Sequence, residues 1–343
     1  MPAIRLVATT LLLTGCNGII GGLGSETGRS NIGPRSKITA GLICNIPTAG
    51  TPPVRRLTGA EYMNTVRDLF SDAALGAVDL AADGKTGLFT NNSQSPVDRL
   101  GALRYLEAAE AIAERQVSRL DALVPCDVAA VGGEGCASRF IATFGRRAFR
   151  RPLKQPEAQV FLGVYKDART NRGADHVAAM QLVIQLFLQS PVFLNHIEVG
   201  DAARKEGGLM PLDGHELAAR LSYFLWGSMP DDALFAAADS GELDTPEGLA
   251  AQAKRLIGSA RTKTMVHEFW RQALDMELLN KASKNLDFFP AYSTALRDSM
   301  AKETSAFIDH LFWEGDGSVR SLLTSDHAFA DQRCPRQEID QTC

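Results

Sequence analysis

Four arginines lie close together in the sequence, at a spacing that could bind an anion. They are Arg146, Arg147, Arg150 and Arg151. They form two i, i+4 pairs on adjacent sides of one predicted helix end, and like charges at this spacing destabilise a helix unless partners compensate. We expect a structural salt-bridge network. The acids that could supply it are Glu61, Asp68, Asp231 and Asp232. The alternative is an anion-binding patch, because guanidinium groups bind carboxylates and phosphates bidentately.

The cysteine at position 16 ends a segment typical of an exported lipoprotein. The apolar stretch Leu6–Leu13 is far shorter than the roughly 20 residues that a membrane-spanning helix needs, and it fits a cleaved signal instead. The four residues Leu13–Cys16 resemble a lipobox. We therefore predict that residues 1–16 are a lipoprotein signal peptide and that Cys16 is the lipid attachment site. In the lipoproteins of enteric bacteria, an aspartate directly after the lipidated cysteine favours retention in the inner membrane. Here Asn17 occupies that position, so we expect the protein at the outer membrane of the cell envelope.

Export to an oxidising compartment allows disulfide bonds to form. Cys126 and Cys136 flank a short loop between two predicted helices. We predict that they are bonded, which would stabilise the fold by about 2–3 kcal/mol through the entropy of loop closure. The alternative is two free thiols. Cys334 and Cys343 are a candidate second pair, which would leave Cys44 without a partner.

The other residue types that carry chemistry form no known catalytic or metal-binding pattern. The six histidines are far apart in the sequence, and none follows an acid by three residues. The chain contains no His-Glu-x-x-His, no Gly-x-Ser-x-Gly and no phosphate-binding loop. We therefore predict no metal and no cofactor, and no catalytic residue is assigned. The net charge of −4 also argues against a nucleic-acid partner.

Helical periodicity dominates the chain from Thr58 onward. Thr58–Glu61 predicts a capping box, and the stretch from Val97 to about Leu123 predicts one long amphipathic helix. The apolar face of that helix is expected to include Leu100, Leu103, Leu106, Ala109 and Ile112. Residues Asp175–Gln189 are apolar nearly all round, which predicts a buried central helix. Since strand patterns are almost absent, we predict an all-α fold, a bundle-like array of about ten helices with short loops.

Residues 17–53 have a different composition from the helical part. They are rich in Gly, Ser, Thr and Pro and show little periodicity. We predict that they form a flexible tether between the lipid and the folded body.

Four stretches, taken together, resemble one protein family. They are Leu57–Phe70 (LTGAEYMNTVRDLF), Phe144–Leu153 (FGRRAFRRPL), Leu188–Leu194 (LQSPVFL) and Leu221–Asp232 (LSYFLWGSMPDD). The chain is similar to the cytochrome-associated domains of unknown function of planctomycetes and myxobacteria, with three consecutive PSD-type domains. The resemblance implies helical domains at 54–123, 137–198 and 208–330, the last being family-defining. It stops near Ala330, and we expect the polar residues 331–343 to form an irregular tail. Because relatives usually continue with further domains, we expect the chain to be truncated at its C-terminus.

The resemblance names no reaction. Some relatives carry a c-type haem module, but this chain has no Cys-x-x-Cys-His, so we expect no covalent haem. We predict a lipid-anchored cell-envelope protein that acts as a binding or scaffold component of a surface complex. Its expected partners are the membrane, through the lipid, and other envelope proteins. The alternative is an envelope enzyme, redox-linked by analogy with the haem-bearing relatives.

Overall fold

The computed structural model describes residues 54–205 and 209–329, and this part of the chain is mostly helical. Within these ranges the strands are limited to two antiparallel ladders of two strands each, so the all-α prediction is confirmed. Every helix of the same ranges is too short or too polar to cross a bilayer. The predicted signal peptide, tether and tail lie outside the described residues. The cysteines that also lie outside them are Cys16, Cys44, Cys334 and Cys343.

The first part of the described chain contains two substantial helices and a short hairpin. Its elements are β1 (Arg55–Arg56), α1 (Gly59–Leu69), β2 (Lys85–Thr86), β3 (Phe89–Thr90), α2 (Arg99–Gln116) and α3 (Leu120–Leu123). The predicted capping box begins α1, since Glu61 N–H donates to Thr58 Oγ1 (3.2 Å) and Thr58 N–H donates to Glu61 Oε2 (2.8 Å). The single helix predicted up to Leu123 is interrupted after Gln116 by a 3-10 turn.

The second part supplies the central helix of the fold. Its elements are α4 (Val128–Val131), α5 (Gly133–Phe149), α6 (Gln155–Thr170), α7 (His176–Gln189), α8 (Pro191–Leu194) and β4 (Asn195–His196). Helix α7 packs against α2, α5 and α6 and buries Met180, Ile184 and Phe187, which confirms the predicted central helix. Strand β4 pairs with β1, and this pairing joins the end of the second part to the start of the first.

The third part forms a second, smaller core. Its elements are α9 (Gly214–Trp226), α10 (Asp232–Asp239), α11 (Pro246–Ile257), α12 (Ala260–Ala273), α13 (Glu277–Lys281), α14 (Thr294–Asp309) and α15 (Val319–Thr324). Trp226 and Leu234 are buried in this second core, whereas Tyr223 and Met229 are buried in the first core with α1, α2 and α5–α7. The segment from α9 to α10 therefore contributes to both cores.

Helix α2 turns a different face inward from the one that its leucines predict. Leu100 and Leu103 are 55% and 46% exposed, whereas Tyr105, Ala109 and Ile112 are buried. Tyr105 Oη accepts a hydrogen bond from the buried Arg56, and small side chains such as Ala109 allow α2 to lie close to α7. The prediction was therefore wrong for the first two turns of this helix, because the packing partner selects the face.

A buried cation joins the second part to the third. Helix α5 ends at Arg150, whose φ of 60° is left-handed and whose side chain is 5% exposed. Its guanidinium donates to the carbonyl oxygens of Val192 (2.5 Å), Phe193 (3.1 Å) and Asn195 (2.8 Å). It also donates to Tyr223 Oη (3.2 Å) on α9. Because these acceptors lie on the α8–β4 segment and on α9, one side chain sets the position of both relative to α5.

A histidine lies beside this cation. The His196 ring packs edge-on against Tyr223, with 4.3 Å between the ring centroids. The ring is partly exposed, but its Nε2 is shielded from solvent and has no hydrogen-bond partner among the described residues. Burial, together with the charges of Arg150 and Arg55, lowers the pKa of His196 well below its usual value. The folded protein therefore holds this imidazole in its neutral form.

The disulfide between Cys126 and Cys136 is confirmed. The two Cα atoms are 5.7 Å apart, and the bond spans ten positions of the sequence. Cys136 lies in the first turn of α5 and Cys126 follows α3, so the bond links α5 to the end of the first part of the fold and encloses α4.

Removing this disulfide should reduce stability. In the double variant Cys126→Ser/Cys136→Ser, we expect the free energy of unfolding to fall by about 2–3 kcal/mol, because the unfolded chain regains the entropy of an open loop. Urea denaturation followed by circular dichroism measures the change. A reductant should reproduce the loss in the parent protein and have no effect on the double variant. A loss below about 0.5 kcal/mol would contradict the loop-closure argument.

The buried arginine should matter far more than its neighbour on the same helix. Arg150→Met leaves buried carbonyl oxygens without their hydrogen-bond donor. We expect this variant to lower the free energy of unfolding by about 3 kcal/mol or more. The matched control is Arg146→Met, which removes a partly exposed ion pair with Asp239 and should cost about 1 kcal/mol or less. Urea denaturation of both variants tests the difference. Equal losses would show that Arg150 is not the connection described above.

The shielded histidine predicts a pH dependence. As pH falls from about 6.5 to 5, the unfolded chain takes up a proton that folded His196 excludes, so stability should fall by up to about 1.4 kcal/mol per pH unit. The variant His196→Phe should lose this part of the slope. Burial also lowers the pKa of His176. The pH slope of His176→Phe is therefore measured for comparison. Unfolding curves at several pH values give the slopes, and an unchanged slope in His196→Phe would refute the assignment.

Candidate functional site

An open cleft of about 560 Å³ lies where α1, α5, the α9–α10 turn and α12 meet. Its volume falls in the range of about 300–1,000 Å³ that is typical of ligand sites. The first, second and third parts of the described chain each contribute to its walls, so its shape depends on how the three are held together.

Helix α1 supplies one wall through polar side chains on a single face. Asn64, Arg67 and Asp68 are spaced i, i+3 and i+4, which places them on the same side of a helix. The opposite side of α1 buries Tyr62 and Val66 in the first core, and this packing turns the polar face toward the cleft. The Arg67 side chain is held in place by a hydrogen bond from its Nε–H to the carbonyl oxygen of Leu75 (3.0 Å), which lies at the end of the turn after α1.

Asp68, which lies in the first part of the fold, contacts both the second and the third part. Its carboxylate Oδ2 accepts from Ser228 Oγ (2.5 Å) and from Arg261 Nη2 (2.5 Å), both in the third part. Its backbone carbonyl accepts from Arg147 Nη2 (3.3 Å) on α5. The bond to Ser228 is important because this serine is completely buried and a buried hydroxyl requires a partner.

The α9–α10 turn has a conformation that only certain residues allow. Gly227 has a φ of 62°, and a Cβ there would lie 2.7 Å from Met265 Sδ, so both the backbone and the close approach of α12 favour glycine. Asp231 then caps α10 by accepting from Leu234 N–H (2.9 Å). Trp226, the last residue of α9, lies under the Arg261 guanidinium, whose Cζ is 4.7 Å from the centroid of the Trp226 ring.

Two carboxylates of the cleft, those of Asp72 and Asp231, have a lowered pKa and are ionised at neutral pH. A hydrogen bond from Gln116 lowers the pKa of Asp72 below its usual value, and the nearby Arg119 contributes to the shift. Burial raises the pKa of Asp231, but hydrogen bonds from Arg255 and from a backbone N–H lower it by more. Arg255 binds the Asp231 carboxylate bidentately, at 2.7 and 2.9 Å. These groups therefore act as fixed negative charges.

The four arginines singled out from the sequence diverge in space. Arg146 pairs with Asp239 (2.6 Å) and Arg151 pairs with Glu157 (2.7 Å). Arg150 is the buried connection described above. Of these four arginines, only Arg147 lines the cleft. The structure thus does not bring the four guanidinium groups together, and the two acids in these pairs differ from the four that the sequence suggested.

Two cleft arginines, Arg67 and Arg261, could not be recognised as site residues from the sequence alone. Arg67 looks like an ordinary charged residue on the solvent side of an amphipathic helix, since nothing in its spacing distinguishes it. Its place inside the Leu57–Phe70 stretch was the one available signal. Arg261 lies outside all four stretches, and only the folded structure brings it next to Asp68.

Three families of proteins of unknown function match the chain one after another. PSD3 (DUF1587) matches residues 55–118, PSD5 (DUF1595) matches 136–198 and PSD4 (DUF1592) matches 212–336. No curated protein and no solved structure matches the chain. Each matched segment contributes to the cleft, through residues such as Asp68, Arg147 and Arg261. The predicted series of PSD-type domains of unknown function is confirmed, since the chain carries consecutive PSD3, PSD5 and PSD4 matches.

Proposed function

We propose that the chain is a lipid-anchored protein of the cell envelope, at the outer membrane, that acts as a binding component of a surface complex. Its ligand or partner would enter the cleft between α1, α5 and α12. The observation that carries this proposal is the convergence of all three matched domains on one open cleft with polar and aromatic walls. The lipid anchor rests on the leader sequence that ends at Cys16.

The charges in the cleft favour binding over proton transfer. Asp72 and Asp231 have lowered pKa values, so they hold their charge through the neutral range and are poorly suited to act as general acids. Fixed charges on rigid helices are suited to orienting a bound group. The redox-linked enzyme suggested as an alternative stays a prediction, because none of the contacts described in the cleft favours it.

The anchor is tested by replacing the lipid-accepting cysteine. We expect labelled palmitate to enter the parent protein and the parent protein to fractionate with membranes. Cys16→Ser should block both the labelling and the processing of the leader. If the serine variant were processed, labelled and fractionated like the parent protein, the anchored form of the proposal would be refuted.

The role of the cleft is tested by filling it. Thr264 is an exposed helix residue in the cleft wall, and Thr264→Trp should block entry without disturbing the core. Thr143→Trp is the matched control, because Thr143 is also exposed on a helix but does not line the cleft. Both variants should keep the thermal unfolding midpoint of the parent protein. Components that co-purify with the parent protein and with Thr143→Trp should be lost from Thr264→Trp, and retention by both would rule out the cleft as the binding site.

A further inference from the structure

The cleft is lined by three arginines and three carboxylates, but two of the three arginines form no ion pair with a described residue. Three carboxylates line it, and each forms an ion pair with one arginine. The pairs are Asp68–Arg261 (2.5 Å), Asp72–Arg119 (2.9 Å) and Asp231–Arg255 (2.7 Å). Two further arginines, Arg67 and Arg147, also line the cleft. Neither forms an ion pair with any residue of 54–205 or 209–329, so both guanidinium groups are available to pair with an anion.

Backbone carbonyls position both of these arginines but leave most of their donors available. Arg67 uses Nε to bind Leu75 O, and Arg147 uses one Nη to bind Asp68 O. The Nε–H of Arg147 is shielded from water and has no acceptor among the described residues. A shielded donor without an acceptor is unfavourable. The donors that a ligand in the cleft could reach are the remaining Nη groups of Arg67 and Arg147, which have no partner among the described residues and are not shielded from water.

Another part of the cleft wall is apolar or aromatic. Trp226, Met229 and Pro230 are buried residues at its floor, and Met265 lies beside them. A ligand that fits both kinds of wall has an oxyanion at one end and an organic body at the other. Guanidinium groups bind the planar oxygen pair of a carboxylate and the oxygens of a phosphate by the same hydrogen bonds.

We infer that the cleft binds an organic oxyanion, a carboxylate or a phosphate, through Arg67 and Arg147. This inference rests on the proposed binding function and gives the chemical class of the ligand. The other explanation for the two arginines is purely structural. Both lie in the last turn of their helices, where a positive charge stabilises the helix dipole without any ligand.

The test measures binding of two simple probes to the full mature chain in detergent. Inorganic phosphate and succinate are titrated by calorimetry, and the thermal midpoint is recorded at constant ionic strength with chloride as the reference. We expect at least one probe to bind and to raise the midpoint. Stronger binding of phosphate would identify a phosphorylated ligand, and stronger binding of succinate would identify a carboxylate.

Two variants and a matched control distinguish the site from a structural role. Arg67→Gln and Arg147→Gln should each weaken binding of the probe by a factor of about ten or more. Arg146 directly precedes Arg147 on the same helix but faces Asp239. Arg146→Gln should therefore leave the affinity for the probe within about twofold of the parent value. Arg147→Lys keeps the charge but loses the guanidinium fork, and it should give an intermediate affinity that a folding defect would not produce.

The outcomes separate this inference from the function on which it rests. If neither probe bound beyond the chloride reference, or if Arg146→Gln weakened binding as much as the two cleft variants, the oxyanion site would be refuted. If the probes failed while Thr264→Trp still abolished complex formation, the binding function would stand and only the ligand class would be wrong. If the probes bound through both arginines but Thr264→Trp kept its partners, the site would stand and the proposed complex would be wrong.

Discussion

One aspartate of the first domain contacts both of the other domains at the walls of the cleft. Asp68 uses its carboxylate to hold the α9–α10 turn and α12, and its backbone carbonyl to accept from α5. A carboxylate can accept several hydrogen bonds at once, so a single residue of α1 can satisfy Ser228 and Arg261 together. Because Ser228 is completely buried, moving the turn away from α1 would leave its hydroxyl without this acceptor. This contact therefore links the walls of the cleft that α1, α5, the α9–α10 turn and α12 supply.

The α9–α10 turn extends the same constraint to the two hydrophobic cores. Tyr223 and Met229 on either side of Gly227 pack into the first core, while Trp226 and Leu234 pack into the second. Neighbouring positions of one short segment thus enter different cores. A rotation of the third domain would expose apolar side chains at both, so the hydrophobic effect opposes the same movement that the Asp68 hydrogen bonds oppose.

Features that depend on local chemistry could be predicted from the sequence. The capping box at Thr58 and Glu61 involves residues three positions apart, and the disulfide closes a short loop, so neither requires knowledge of distant contacts. The apolar composition of α7 likewise identified the central helix. These features depend on neighbours along the chain, and such neighbours are visible in a sequence.

Features that depend on distant partners could not be predicted in this way. Leu100 and Leu103 fit the helical period as well as Tyr105 does, but the inward face of α2 was selected by α7 and by the bond from Arg56. The arginines at 146–151 look like one cluster in the sequence. They separate because successive helix positions point in different directions and because the helix ends in a left-handed residue, Arg150. The ion-pair partners of Arg146 and Arg151 lie 93 and 6 positions away.

The two cleft arginines that form no ion pair with a described residue are compatible with a stable fold for a specific reason. Arg67 and Arg147 are only partly buried, so water screens their charge, and each lies at the end of a helix where the dipole favours a cation. Each is also held by a backbone carbonyl. The fold itself therefore fixes their positions before any ligand arrives. A ligand that binds two ordered side chains loses less conformational entropy than one that must order them, and this preorganisation favours affinity in the cleft.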